Sequence, residues 1–159
     1  MASAKTTPGK FDLVVKKASA GRGLFSMSHI RKGACIIEYT GRPLEESEKY
    51  TSRSKYLFDL DNGVTIDGAV KTNLARYINH SCDPNCEIDI IKGRVFVYAF
   101  RPIVPGEELN YDYGEDYFSA YIGDKCRCTQ CVAERAVEPV AADEEELALQ
   151  AAGWAASTP

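Results

Sequence analysis

The sequence predicts a mostly β fold of small antiparallel sheets with few short helices. Two hairpin signals carry that expectation. KYLFDLDNGVTID (55–67) alternates apolar and polar residues around Asn62-Gly63, and EIDII (87–91) leads through Lys92-Gly93 into RVFVYAF (94–100). The third observation is negative: no strand–helix–strand rhythm occurs, so a parallel nucleotide-binding sheet is not expected. A length of 159 residues suits one domain with its own core. No internal repeat is present.

Each element follows in chain order. Residues 1–10 read as a flexible lead, and FDLVVKK (11–17) as a strand. SAGRGLF (19–25) reads as a glycine-rich turn, after which ACIIEY (34–39) forms the next strand. PLEESEKY (43–50) opens with proline and early carboxylates, the composition of a helical first turn, so a short helix is expected over Leu44 to Tyr50. VKTNLARYI (70–78) carries apolar residues at helical spacing, at Val70, Leu74, Tyr77 and Ile78. Past the second hairpin, proline and glycine in RPIVPGEEL (101–109) mark a loop before a short strand, ELNYDY (108–113).

Charge divides the chain unevenly. The net charge is -4, yet six of the 23 acidic residues lie from Glu134 onward beside a single base, Arg135, which leaves the first 133 residues with 18 basic and 17 acidic. The acidity therefore belongs to an alanine- and glutamate-rich tail (134–159), in which DEEELALQAAGW (143–154) is either a helix or a solvated appendage. No apolar run approaches the roughly 18 residues that cross a bilayer. The first ten residues lack the apolar stretch of a secretory signal. A reducing compartment is expected, cytoplasmic, or nuclear in a eukaryotic host. No membrane partner is expected, and without a basic cluster interleaved with aromatics neither is direct nucleic-acid binding.

Cysteine placement points to a metal. Cys126, Cys128 and Cys131 form CxCxxC, a spacing too tight for easy disulfide geometry. In a reducing compartment such a cluster is metal-binding first. Three ligands leave a tetrahedral zinc one short. Cys82 leads for the fourth position, with His80 and Cys86 behind it.

Three further motifs concentrate chemistry. GRGLF (21–25) by itself is no more than a tight turn, and with neither a Walker loop nor GxGxxG there is no phosphate cradle. RYINHSCDPNC (76–86) packs a guanidinium, amides, an imidazole and thiols that would be costly to bury unpartnered. No serine elbow or paired acidic motif accompanies its histidine, so a hydrolase triad is not supported. In EELNYDYG (107–114), Tyr111 and Tyr113 share one face of a strand, either as satisfied core phenols or as the lining of a channel for a cation.

In sequence order GRGLF, EYTGR, YLFDLDNGVTIDG, NLARYINHSCDPNC, GEELNYDYG and CRCTQC together resemble the SET domain family of protein lysine methyltransferases. The resemblance covers residues 11–132. It implies a SET domain over 11–114, with small antiparallel sheets around a pseudoknot-like core, and a post-SET zinc-binding segment over 115–133. The Cys128–Cys131 pair is closer than in many members.

The resemblance also implies roles. S-adenosylmethionine would be held by Arg22, Gly23, Leu24, Tyr56, Asn79, His80 and Tyr113, and zinc by Cys82, Cys126, Cys128 and Cys131. The substrate lysine would enter a channel lined by Tyr39, Tyr111 and Tyr113, with Tyr113 catalytic. A tyrosine at 111 implies mono- or dimethylation. The expected partner is a lysine-containing basic protein or peptide such as a histone, drawn to acids near Asp112, Glu115 and Asp116. The alternative is a catalytically silent module of the same fold that holds a lysine-containing peptide; intact Tyr113, Asn79, His80 and GRG speak against it.

Overall fold

A computed structural model describes residues 6–137. The tail helix expected over DEEELALQAAGW lies outside the described residues. In chain order the strands are β1 (Leu13–Ala18), β2 (Gly21–Ser26), β3 (Cys35–Tyr39), β4 (Arg42–Pro43), β5 (Leu57–Asp59), β6 (Thr65–Asp67), β7 (Asn79–His80), β8 (Cys86–Ile91), β9 (Arg94–Ala99), β10 (Glu107–Glu108) and β11 (Asn110–Tyr111). Three α-helices accompany them: α1 (Glu46–Lys49), α2 (Glu115–Tyr117) and α3 (Thr129–Val137). None of the described helices is long and apolar enough to cross a membrane.

The strands make four small sheets, ordered β1-β2-β10, β4-β6-β5, β3-β9-β8 and β11-β7. The β8–β9 hairpin is the one the sequence marks most clearly. Lys92 and Gly93 both take positive φ, 51° and 70°, the geometry of a two-residue turn whose twist matches its strands. Val95, Val97 and Ala99 of β9 are buried in the main core, with Leu24 of β2, Ile78 just before β7 and Leu109 between β10 and β11. Each such aliphatic side chain contributes roughly 1.5–3 kcal/mol by leaving water.

Three local expectations are corrected. GRGLF is not a turn: Gly21–Ser26 is β2 itself, and the turn is Ser19-Ala20, with Ala18 opposite Gly21. VKTNLARYI is not a helix beyond one 3-10 turn at Leu74–Tyr77. Its expected apolar face splits, with Val70 and Leu74 exposed, Tyr77 half-buried and Ile78 buried. Asn73 is the cause. It is buried, donates to the Gly68 carbonyl and accepts from the Thr40 N–H, which holds the chain out of helical form ahead of the turn. ELNYDY is two strands in different sheets. β10 pairs antiparallel with β2, whereas β11 pairs parallel with β7, Asn110 opposite Asn79 and Tyr111 opposite His80. The helix expected over 44–50 is the single turn α1, closed by a capping box between Glu45 and Glu48.

The strand change at Leu109 organises the molecule. Residues 107–111 run between β2 on one side, where the Leu109 N–H reaches the Leu24 carbonyl, and the 79–85 segment on the other. Asn85, wholly buried, joins the two. Its backbone N–H donates to Asn110 Oδ1 and the Asn110 N–H returns to Asn85 Oδ1, at 3.0 and 2.9 Å. Its Nδ2 donates to Glu107 Oε1 and to the Glu108 carbonyl, at 3.0 and 2.7 Å. Every polar atom of this side chain is engaged, so losing it strands several buried partners.

Asn85→Ala is expected to destabilise the protein by about 3 kcal/mol in denaturant unfolding. Asn85→Asp, equal in size but without the amide donors, costs a similar amount because it sets a carboxylate against Glu107. A loss below about 1 kcal/mol for both would contradict this role.

Candidate functional site

Two cavities adjoin residues 108–113, and Tyr113 and Tyr117 line both. The first, about 330 Å³, lies between the β1–β2 turn, the 79–81 segment and residues 121–129. The second, about 450 Å³, lies against β5 and is walled by Tyr39, Tyr56, Phe58, Ile78 and Tyr111. Tyr113 follows β11, and its hydroxyl donates to the Ile78 carbonyl at 2.7 Å, which fixes the ring at the junction.

The first cavity gathers some of the predicted cofactor residues and not others. Asn79, His80 and Tyr113 line it. Arg22, Gly23 and Leu24 sit on β2 behind the lining, with the Leu24 side chain fully buried. Arg22 contributes its carbonyl, which accepts from Asn79 Nδ2 at 3.0 Å. Tyr56 lines the second cavity instead. The roof of the first cavity is latched: Ser19 Oγ donates to the Arg127 carbonyl at 3.2 Å, and the Arg127 guanidinium donates back to the Ser19 carbonyl at 3.3 Å.

The second cavity is an aromatic funnel with an acidic mouth. The Tyr111 and Tyr113 rings meet at a tilt, centroids 4.7 Å apart, Tyr39 packs on Phe58 at 5.4 Å, and the Tyr39 hydroxyl donates to the Tyr56 carbonyl. Burial, followed by neighbouring phenols and carboxylates, pushes Tyr39, Tyr111 and Tyr113 well above the ordinary phenol range. These hydroxyls are neutral at any physiological pH. The Tyr111 hydroxyl makes no hydrogen bond to the described residues. Asp112, Glu115 and Asp116 line the outer end of the cavity.

Beside the first cavity the Sγ atoms of Cys82, Cys126, Cys128 and Cys131 lie within 4.8 Å of one another, Cys82 and Cys131 at 3.5 Å. The donor set fits a tetrahedral ion: metal–sulfur bonds of about 2.3 Å give ligand edges of about 3.8 Å. The close CxxC spacing is accommodated by α3. Cys128 stands at its N-cap, the Cys128 carbonyl accepting from Val132 and Sγ from the Cys131 N–H, so one helical turn brings the two sulfurs together. Burial pushes Cys128 up, yet the N–H groups of Cys131 and Cys82 and the neighbouring thiols bring it down to about 6. Burial and those same thiols push Cys82 up. Several thiolates this close repel one another unless a cation compensates their charge.

His80 connects this cluster to the junction. Its side chain is 6% exposed, and burial holds it below the usual histidine range despite Asp112 nearby. The Tyr113 N–H donates to Nδ1 at 3.2 Å, which assigns the remaining proton to Nε2, 3.3 Å from Cys82 Sγ. The imidazole therefore bridges a cluster sulfur and the Tyr113 backbone.

Sequence reasoning missed several lining residues. Tyr117 and Tyr121 continue from Tyr113 as a row of contacting rings, the first pair edge-on at 5.3 Å and the second tilted at 4.7 Å, on the helical stretch after Gly114. Three tyrosines spaced by four were the signal for it. Ser19, Glu108 and Arg127 carry no local signal, because only the fold brings them to the cavity.

Comparison with known proteins agrees with this geometry. The SET domain family profile matches residues 21–114. The histone-lysine N-methyltransferase trithorax of Drosophila virilis is 36% identical over 123 residues, 70% of this chain and 3% of that protein. The H3 lysine-4 specific histone-lysine N-methyltransferase of Schizosaccharomyces pombe is 44% identical over 104 residues, 57% of this chain and 11% of that protein. The chain thus spans about a tenth or less of these relatives. A crystal structure of KRYPTONITE in complex with mCHH DNA, an H3(1–15) peptide and SAH superposes with a TM-score of 0.62 at 30% identity, over 77% of this chain and 27% of that one.

The cysteine geometry generates a direct expectation. Elemental analysis of purified protein should find one metal ion per chain, and Cys82→Ser should release most of it. An unchanged metal content in Cys82→Ser would remove Cys82 from the ligand set.

Proposed function

The chain belongs to the SET domain family, and on that premise we propose that it is a protein-lysine N-methyltransferase using S-adenosylmethionine, with zinc on its four clustered cysteines. One observation carries this reading: two cavities share the half-buried phenol of Tyr113, which lines both together with the more exposed Tyr117.

Methyl transfer from a sulfonium to an amine needs donor and acceptor in line, on opposite sides of the moving carbon. When bound, the cofactor supplies a methyl group on a positively charged sulfur. The first cavity, with Asn79, Glu108 and the 126–129 segment on its walls, suits the donor. The second, a funnel of Tyr39, Tyr111 and Tyr113, suits a lysine side chain. Holding two reactants in such a geometry accounts for up to about 7–11 kcal/mol of a barrier.

The amine must also be neutral, whereas lysine in water has a pKa of about 10.4. The aromatic wall desolvates the ammonium and so favours its deprotonation. None of the three channel phenols takes the proton as a phenolate, since burial holds all of them protonated. The proton leaves toward solvent at the mouth. Tyr113 acts as a neutral hydroxyl: its proton is committed to the Ile78 carbonyl, and its oxygen lone pairs face the junction, where they orient the amine and stabilise developing charge.

The unengaged Tyr111 hydroxyl is free to hold the amine or a water, and its bulk limits room for further methyl groups. This supports mono- or dimethylation. Asp112, Glu115 and Asp116 at the mouth support a basic substrate, for which a histone tail is the natural choice given the relatives' names. Action on histones places the protein in the nucleus of a eukaryotic host.

Incubation with labelled S-adenosylmethionine and a mixture of basic proteins including histones tests the proposal. Tyr113→Phe should lower transfer by about 10²- to 10³-fold while cofactor binding persists. Cofactor binding by the wild type without transfer to any substrate would instead identify a silent peptide-holding module. Mass spectrometry of the product should show mainly mono- and dimethyl-lysine, shifting upward in Tyr111→Phe; trimethyl-lysine as the main wild-type product would contradict the assignment of Tyr111.

A further inference from the structure

Cations gather on a face that neither cavity uses, where three segments lie side by side. Residues 9–12 run along 27–35, the Gly9 N–H donating to the Cys35 carbonyl at 2.9 Å and the Met27 N–H to the Asp12 carbonyl at 2.8 Å. Residues 99–104 pair with the same stretch: Ile30 and Ile103 exchange both backbone bonds, and the Gly33 N–H reaches the Ala99 carbonyl at 2.7 Å. Ile30 and Ile103 are each 1% exposed and face the core. Alternation therefore turns Arg31, Pro102 and Val104 outward, and all three are exposed. Lys10, Lys16, Arg31 and Lys32 are likewise exposed, and none forms an ion pair with a described acid. Asp12 is the only acid in the three segments, and Arg101 is occupied by Glu107 at 2.5 Å.

Aromatic and apolar side chains stand between these cations. Lys32 Nζ lies 5.5 Å from the Phe100 ring centroid, and Lys16 Nζ lies 5.6 Å from that of Phe25 and 3.3 Å from Met27 Sδ. Met27, Phe100 and Val104 all remain exposed. No run in the sequence shows this cluster, because only the fold brings its segments together.

We infer that this face docks the phosphate backbone of a nucleic-acid duplex. Cations without acidic partners keep their charge available, and each phosphate they neutralise releases a counterion, which drives such binding. The two lysines rest over rings, so less side-chain freedom is lost when a phosphate arrives. With Lys32 lying over it, Phe100 offers no bare platform on which an unpaired base could stack, which favours a duplex over a single strand. An acidic polypeptide fits less well, since its carboxylates have no fixed spacing while a duplex presents a phosphate per about 1.7 Å of axis. None of these cations lines either cavity, so the face is separate from the site described above.

Fluorescence anisotropy of the full chain with a short labelled DNA duplex of arbitrary sequence, at a series of salt concentrations, tests the inference. The wild type should bind with a Kd of about 1–100 μM despite its net charge of -4, and log affinity should fall against log salt with a slope of about -3. The triple variant Lys16→Ala/Arg31→Ala/Lys32→Ala should bind about tenfold or more weakly, with a slope of about -1 or shallower. A control that removes equal charge outside the face, Arg53→Ala/Lys71→Ala/Lys92→Ala, should stay within about threefold of wild type. Thermal unfolding and metal content identical to wild type show that the variants are folded. If the first variant is not folded, the wild-type measurements decide alone. Equal losses in the two variants would overturn the inference, as would no measurable duplex binding by the wild type at low salt. Tighter binding of single-stranded DNA, or displacement of the duplex by polyglutamate as readily as by unlabelled duplex, would also overturn it.

Discussion

The buried amide of Asn85 is the constraint on which the rest of the structure depends. Four short sheets share little continuous hydrogen bonding, and none of them alone would fix the path of residues 107–113. Asn85 does so by pairing reciprocally with Asn110 and by holding Glu107 and the Glu108 carbonyl, all in the absence of water. A buried polar network of this kind has few alternative arrangements, because any slip in register leaves donors and acceptors unpaired. Hydrophobic burial of Leu24, Ile78 and Leu109 drives the chain together, and the amide network selects one threading of it.

The site follows from that threading. Placing β11 parallel to β7 brings Tyr111 opposite His80, and two residues later Tyr113 reaches the Ile78 carbonyl. The segment that leaves β11 therefore lines both cavities and supplies the phenol they share. The cysteine cluster acts from the side. It gathers Cys82, next to β7, with three sulfurs of the C-terminal segment, and Ser19 and Arg127 close that segment over the first cavity. His80 joins both parts through one imidazole, with one nitrogen on a cluster sulfur and the other on the Tyr113 backbone.

What the sequence could reveal divides along local and non-local physics. The β8–β9 hairpin was legible because its alternation and Lys92-Gly93 turn are complete within fifteen residues. The motifs around Asn79, His80, Tyr111 and Tyr113 were legible as chemistry, since such groups are costly to place together without purpose. Their division between a cofactor pocket and a lysine channel came from the family resemblance and not from local pattern. β2 was hidden because glycines signal turns locally, whereas a Cβ at Gly23 would run into Ala18 of the paired strand and Glu108 of β10. The helical spacing at 70–78 misled because Asn73 finds its partners in Thr40 and Gly68, contacts that exist only in the folded chain. The split of ELNYDY at Leu109 has the same origin: two partner strands, neither adjacent in sequence. The fourth sulfur, Cys82, emerged from ligand arithmetic together with the family resemblance, but the N-cap that lets CxxC close on it did not.

The central claim is that Tyr113 divides a donor cavity from an acceptor cavity. A crystal structure with S-adenosylhomocysteine and a lysine-containing histone peptide bound together tests it most directly. The account predicts the thioether in the cavity walled by Asn79 and Arg127, the lysine amine descending past Tyr39 and Tyr111 from the other side, and the two facing each other across the Tyr113 hydroxyl. Both ligands entering one cavity, or a Tyr113 ring turned away from the space between them, would contradict it.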